Sequence, residues 1–211
     1  MSAILKQWFK KVLYLKVGEY RKEYKLSLSN AELNDFKFFH INELRKIYKS
    51  RVITSWYFDT NEFKLYKDSQ SNDVDKFKIR FRKYSNEEFI YKEIKENTSA
   101  GRYKKVEKTL YKNIEEVKSL TYKGLMLTPS LKIQYNRDYY EYKNARVTFD
   151  TKINFESTQN RSQYLTSSDC DINIVEFKIL NAHNPDIENN IPLNTVSFSK
   201  YLYGIKAIYN L

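Results

Sequence analysis

Lys76-Phe-Lys-Ile-Arg-Phe-Arg-Lys-Tyr84 is the stretch of this sequence best suited to chemistry. Its strict alternation predicts a β-strand. Phe77, Ile79 and Phe81 fall on one face, and Lys76, Lys78, Arg80 and Arg82 on the other. Four like charges down one strand face repel each other. Two settings accommodate them: an open sheet in water, or the wall of a cavity that holds a polyanion. Arg grips phosphate oxygens through paired hydrogen bonds and Lys acts as a mobile point charge, so phosphate suits the second setting.

The other predicted strands repeat the pattern. Between Glu19 and Leu28, Arg21, Glu23, Lys25 and Ser27 share a face opposite Tyr20, Tyr24, Leu26 and Leu28, with Lys22 as the exception. Val52 to Asp59 sets Ser55, Tyr57 and Asp59 against Thr54, Trp56 and Phe58. Phe89 to Lys95 sets Tyr91, Glu93 and Lys95 against Ile90 and Ile94. Pro129 is expected to open a strand over Leu131–Tyr139 that carries Arg137. Arg146, Thr148, Asp150 and Lys152 alternate with Val147, Phe149 and Ile153; Glu176 and Lys178 alternate with Val175, Phe177 and Ile179. If these strands close into an antiparallel barrel, every ionic face can point inward. Buried bases are costly unless something anionic sits among them. A few carboxylates in their midst would hold a divalent cation, which takes oxygen ligands.

The connecting elements are plainer. Residues 3–17 space Ile4, Leu5, Trp8, Phe9, Val12 and Leu13 as a short amphipathic helix with Lys6, Lys10 and Lys11 beside them, suited to packing on the domain or lying on an anionic membrane surface. Ser29 and Glu32 form a capping box for a helix running to about Lys49, with His40 on it. Residues 61–68 read as a short helical turn or an irregular crossing, 69–75 as a polar turn, and 101–108 as a basic loop or strand. A helix over 113–122 ends at Gly124; 156–170 form a polar loop. A second loop carries His183, and a last helix lies near Ser197–Tyr209.

The chain has 211 residues, 37 Lys and Arg against 26 Asp and Glu, and a formal charge of +11, so an anionic partner is expected. At 41% hydrophobic content it can bury a core. A lone cysteine, Cys170, excludes an internal disulfide and fits a reducing, cytoplasmic setting. No apolar run is long enough to span a bilayer, and no signal-peptide pattern opens the sequence. No Ser-His-Asp or Cys-His arrangement, Gly-rich phosphate loop or nucleic-acid motif is present, so specific nucleic-acid binding is not expected.

The ordered motifs resemble a known family. Arg21-Lys-Glu-Tyr-Lys25, Ser55-Trp-Tyr-Phe-Asp-Thr60, Lys78-Ile-Arg-Phe-Arg82, Glu93-Ile-Lys95, Tyr135-Asn-Arg137, Arg146-Val-Thr-Phe-Asp150, Glu176-Phe-Lys178 and Ser197-Phe-Ser-Lys-Tyr201 follow in the order of the VTC domain. That domain is the polyphosphate polymerase branch of the triphosphate tunnel metalloenzymes. The resemblance covers about residues 18–206, which sets a tunnel domain over 18–211 apart from the helix within 1–17. It implies an α+β fold: a closed eight-stranded antiparallel β-barrel with flanking helices. It also implies ATP and polyphosphate as ligands, Mn²⁺ or Mg²⁺ as cofactor, and transfer of the ATP γ-phosphoryl group. Carried over, Lys25, Arg80, Arg82, Lys95, Arg137 and Lys200 cradle the phosphates, and Arg146, Lys178, Arg21 and Ser199 extend the cradle. Glu176 holds the metal, with Glu23 and Glu93 on the metal side. Arg21 and Glu23 stand where hydrolytic tunnel enzymes carry paired carboxylates, and Thr151 stands where a base is common. Triphosphate hydrolysis on the same fold is the alternative, and a polyanion-binding module without catalysis is a further one.

Overall fold

The computed structural model describes residues 22–71, 75–159, 167–179 and 195–211. The expected helix over 3–17, Arg21 and the loop around His183 lie outside the described residues, as does the boundary between 1–17 and 18–211. In chain order the elements are β1 (Lys22–Leu28), α1 (Asn30–Phe39), β2 (Arg45–Asp59), α2 (Lys64–Gln70), β3 (Lys76–Tyr84), β4 (Ile90–Thr98), β5 (Gly101–Lys108), β6 (Leu120–Tyr122), β7 (Leu125–Tyr142), β8 (Ala145–Ser157), β9 (Ser167–Cys170), β10 (Asn173–Ile179) and α3 (Lys200–Tyr209).

Eight strands pair antiparallel in the order β1-β10-β8-β7-β2-β3-β4-β5, with β6 on β7 and β9 on β8. The sheet curls so that side chains from all eight line one cavity. This is the α+β, eight-stranded antiparallel architecture expected, with one difference in the ladder. Among the described residues β1 and β5 end the path and do not pair. The free edge of β1 is taken instead by the segment before α3, where Val196 N–H donates to the Lys25 carbonyl at 2.8 Å.

The alternation does the packing. On the outer face Leu26, Val147, Phe149, Val175 and Phe177 bury against Leu33 and Phe36 of α1. Phe58, Ile79, Phe81 and Ile94 bury against Leu65 of α2 and against Ile114 and Val117. A side chain of this size contributes about 1.5–3 kcal/mol when fully buried. The third cluster fills one end of the interior: Tyr201, Ile205, Ile208 and Tyr209 of α3 pack on Ile53, Leu131, Ile133, Ile153 and Phe155. Gly204 permits that approach, since a Cβ there would overlap Phe155 and Leu131.

Local expectations differ from the structure at several points, and the loop expected over 156–170 holds the end of β8 and, at Ser167–Cys170, the strand β9. The helix from Ser29 does have its capping box, but it stops at Phe39, and Arg45 already starts β2. Ile47 and Tyr48 suit either periodicity, and pairing of this segment with the last third of β7 decides for the strand. The helix expected over 113–122 is a single 3₁₀ turn, Ile114–Glu116, followed by β6. Gly124 is not a helix stop: Lys123 and Gly124, both at positive φ, form the two-residue turn of the β6–β7 hairpin. Pro129 lies inside β7 beside a register shift, where a missing N–H is tolerated. In β8, Lys152 at φ 51° accompanies a register shift against β7, and Ile153 therefore turns into the interior, away from the face of Val147 and Phe149.

Candidate active site

The cavity encloses about 700 Å³ between the inner faces of the strands and the start of α3. Among the described residues, eleven bases and three carboxylates line it. Each strand delivers its members by alternation: Lys25 from β1, Lys78, Arg80 and Arg82 from β3, Glu93 and Lys95 from β4, Lys104 from β5, Arg137 from β7, Arg146 from β8, Glu176 and Lys178 from β10. α3 begins at the cavity floor with Lys200, capped by Ser199, whose hydroxyl accepts from the Leu202 N–H. Lys25 Nζ donates to the Phe198 carbonyl at 3.1 Å, and Lys78 Nζ to Ser199 Oγ at 3.3 Å.

The arginines are fixed in place. Arg80 donates from Nε to Glu93 at 2.8 Å and from Nη1 to the Tyr57 hydroxyl at 2.7 Å. Arg82 donates to Ser55 Oγ at 3.0 Å and to the Tyr135 hydroxyl at 3.3 Å. Arg137 and Asp150 face each other across β7 and β8 and make a two-point pair, Nε to Oδ1 at 2.5 Å and Nη2 to Oδ2 at 2.6 Å. Asp150, fully buried, also accepts from Lys200 Nζ at 2.5 Å. One carboxylate thus ties α3 to the sheet through two of the bases. Behind it, Asp59 accepts from the Thr60, Leu65 and Tyr66 N–H groups and from the Tyr201 hydroxyl, anchoring α3 to the start of α2.

Charge crowding sets the protonation. Repulsion from Arg80 first, then loss of water, lowers the Lys95 ammonium to about 7. Lys95 stays exposed within the cavity, so the repulsion is the cause that counts. Burial lowers Lys78 and Lys104 below the usual lysine value. Burial alone would raise Glu93 and Glu176, but Arg80, Arg82 and Lys104 around the first, and Lys178 and Arg137 around the second, hold both well below the carboxylate range. Asp150 is likewise lowered by Arg137 and Lys200 against the effect of burial.

Of the sequence-based candidates, Lys25, Arg80, Arg82, Lys95, Arg137, Arg146, Lys178, Ser199, Lys200, Glu93 and Glu176 line this one cavity. Glu23 sits outside the lining, 44% exposed, where it pairs with Lys178 at 3.2 Å. The three carboxylates assigned to a metal do not converge: among the described residues no group of three His, Cys, Asp or Glu side chains is placed to hold a metal ion. Glu93 is enclosed by Arg80, Arg82 and Lys104. Glu176 and Glu23 share the Lys178 ammonium. Mg²⁺ needs just one or two carboxylates when substrate phosphates and water complete its shell, and Glu176 on the cavity wall fits that demand. Asp150, Tyr57, Ser55 and Lys104 were not singled out from the sequence. Asp150 shows itself only through its register with Arg137, and Lys104 only once 101–108 is a strand.

A second hollow of about 540 Å³ lies away from these bases, between Trp56, Ile114, Val117 and Pro129. Among the described residues its lining holds one base, Lys118, and one carboxylate, Glu115, so it offers no polyanion site.

The chain is similar in fold to an adenylate cyclase candidate from Bacillus halodurans, 12% identical over 82% of this chain and 98% of that one, with a TM-score of 0.49. A Hippeastrum adenylyl cyclase candidate, described as having a dominant triphosphatase activity, is 15% identical over 86% of this chain and 93% of its own, at 0.48. The PH1819 protein of Pyrococcus horikoshii OT3 is 14% identical over 80% and 83%, at 0.43. No curated protein matches the sequence. The family model of the VTC domain matches residues 5–114 and 101–209, which together take in every strand and helix that lines the cavity, and the chain belongs to the VTC domain family.

Proposed function

We propose that the cavity binds the triphosphate of ATP with Mn²⁺ or Mg²⁺ and transfers the γ-phosphoryl group to a growing polyphosphate. The observation that carries this reading is the imbalance of eleven bases to three carboxylates within one enclosed space of a VTC-domain chain. A triphosphate brings about four negative charges to that space and relieves the repulsion.

Arg80, Arg82 and Arg137 would bring forked guanidinium groups to the phosphates, and Lys25, Lys95 and Lys200 would bring ammonium charges. Arg146, Lys178 and Ser199 widen the cradle, and Glu176 is the carboxylate offered to the cation. The bound cation would neutralise charge on the β- and γ-oxygens. An acceptor phosphate oxygen forms a bond to the γ-phosphorus while the bond from that phosphorus to the β–γ bridging oxygen breaks. ADP leaves, and the acceptor is longer by one phosphate. No side chain has to form a covalent bond; positioning and charge neutralisation carry the step.

One observation favours a second reading, hydrolysis of a triphosphate. α3 packs into the interior of the sheet, which leaves less room for nucleotide and polymer together than for a short triphosphate alone. Incubating the purified chain with ATP and Mn²⁺ or Mg²⁺, then resolving products on a gel, separates the two. A polyphosphate ladder supports transfer; orthophosphate without polymer assigns hydrolysis; unchanged ATP in both metals refutes both.

A further inference from the structure

We infer that the end of the cavity away from α3 is a stacking site for the base of a nucleoside triphosphate, built from Tyr48, Tyr139, Arg51 and Tyr84. The inference rests on the triphosphate reading above and adds which end of the substrate lies where.

The placement follows from register. Arg82 pairs with Ser55 and Tyr84 with Ile53, while Arg137 pairs with Arg51 and Tyr139 with Tyr48. Each aromatic therefore lies one step along its strand beyond a cavity arginine, on the side away from α3. The part of the cavity beside α3 is ionic and the part beyond Arg82 and Arg137 is aromatic, and both belong to the same lining.

Tyr48 is turned into this position by the backbone. Arg51, Ser55 and Tyr57 point inward along β2, so an unbroken alternation would send Tyr48 outward. Two register shifts flank it, between Lys46 and Tyr48 and between Tyr48 and Arg51. Each adds one residue to β2 against β7, and bulges of this kind re-aim side chains beside sites. Arg51 then lies with its guanidinium 5.3 Å from the Tyr84 ring centre and 5.2 Å from that of Tyr139. Glu87 holds Arg51 at 3.1 Å and accepts from the Tyr91 hydroxyl at 2.6 Å. Tyr48 meets Tyr139 edge-on at 5.6 Å. Tyrosine rings and a cationic guanidinium plane are both flat surfaces on which a heterocycle can stack. Inorganic polyphosphate has nothing to place against them.

The test compares two ligands that share the triphosphate and differ in the base. Calorimetric titration with ATP and with inorganic tripolyphosphate, each with Mg²⁺, should show the wild-type chain favouring ATP. Tyr48→Ala should weaken ATP about tenfold, the scale of one base on one ring, and leave tripolyphosphate unchanged; Tyr48→Phe should behave as wild type. Should Tyr48→Ala fold poorly, Tyr48→Leu keeps apolar bulk without the π-face and must show the same split. Equal losses for both ligands, or equal affinities that no variant changes, overturn the stacking site and leave the triphosphate reading standing. Absence of tripolyphosphate binding to the wild-type chain overturns the triphosphate reading and this inference with it.

Discussion

Replacing Asp150 by Asn tests how the cavity is held together. The carboxylate is fully buried and is shared by Arg137 and Lys200. Asn keeps the shape and one acceptor oxygen but removes the charge, so two buried bases lose their counterion. Removing one partner of a buried pair costs about 3–5 kcal/mol, and the retained acceptor argues for about 3. For a chain of this size that lowers the melting temperature by about 6–12 °C. A bound triphosphate replaces the lost charge, so it should stabilise the variant more than the wild type. Binding to the folded state adds RT ln(1 + [L]/Kd), and the larger thermal shift reports the tighter Kd. The assay is a melting series with and without tripolyphosphate. A variant that melts with the wild type, or gains no more from tripolyphosphate, refutes the reasoning that Asp150 serves as the resident counterion.

Three more outcomes follow from the same geometry. Gly204→Ala forces a methyl into Phe155 and Leu131 and should cost about 1–3 kcal/mol in thermal or urea unfolding; unchanged stability would mean that α3 is not seated on β7 and β8. Lys95 is lowered to about 7 in the empty cavity, whereas a bound phosphate favours the protonated form. Binding therefore takes up a proton as pH rises through 7, and triphosphate affinity should fall from pH 6 to 9, a slope that Lys95→Arg removes; equal slopes in the two chains reject Lys95 as the titrating group. Glu176→Gln should raise the metal concentration needed for turnover while tripolyphosphate binding without metal persists, and an unchanged metal requirement argues against Glu176 as its carboxylate.

Period-two alternation made most of the sheet legible, because each strand has one face against apolar neighbours and one against charges. β3 and β10 needed nothing more: Arg80, Arg82, Glu176 and Lys178 all lie on the faces their spacing gives. Alternation fails where the backbone slips a residue. Ile153 and Tyr48 point the way they do because of bulges opposite β7, and no local signal in the sequence marks either one. Asp150 was visible as a residue on the ionic face but not as the partner of Arg137 and Lys200, since that depends on register and on where α3 docks. The start of β2 was lost to a helix because Leu44, Ile47 and Tyr48 satisfy both periods, and long-range pairing broke the tie. The carboxylates failed to form a metal cluster for a simple reason: each already sits beside a base.

The position of α3 in the chain has a consequence for how the protein is made. Synthesis runs from the N-terminus, so all eight strands of the ladder leave the ribosome before the helix that fills their interior. The Tyr201 hydroxyl reaches back 142 residues to Asp59, and Lys25 waits for a carbonyl 173 residues later. Until then Leu131, Ile133 and Phe155 face water, and Arg137 has Asp150 without Lys200. Contacts of such sequence separation form late and slowly, so the nascent sheet passes through a stage in which its inner wall is both greasy and strongly positive. Docking of the helix covers the apolar part of that wall and leaves the basic part as the lining of the cavity.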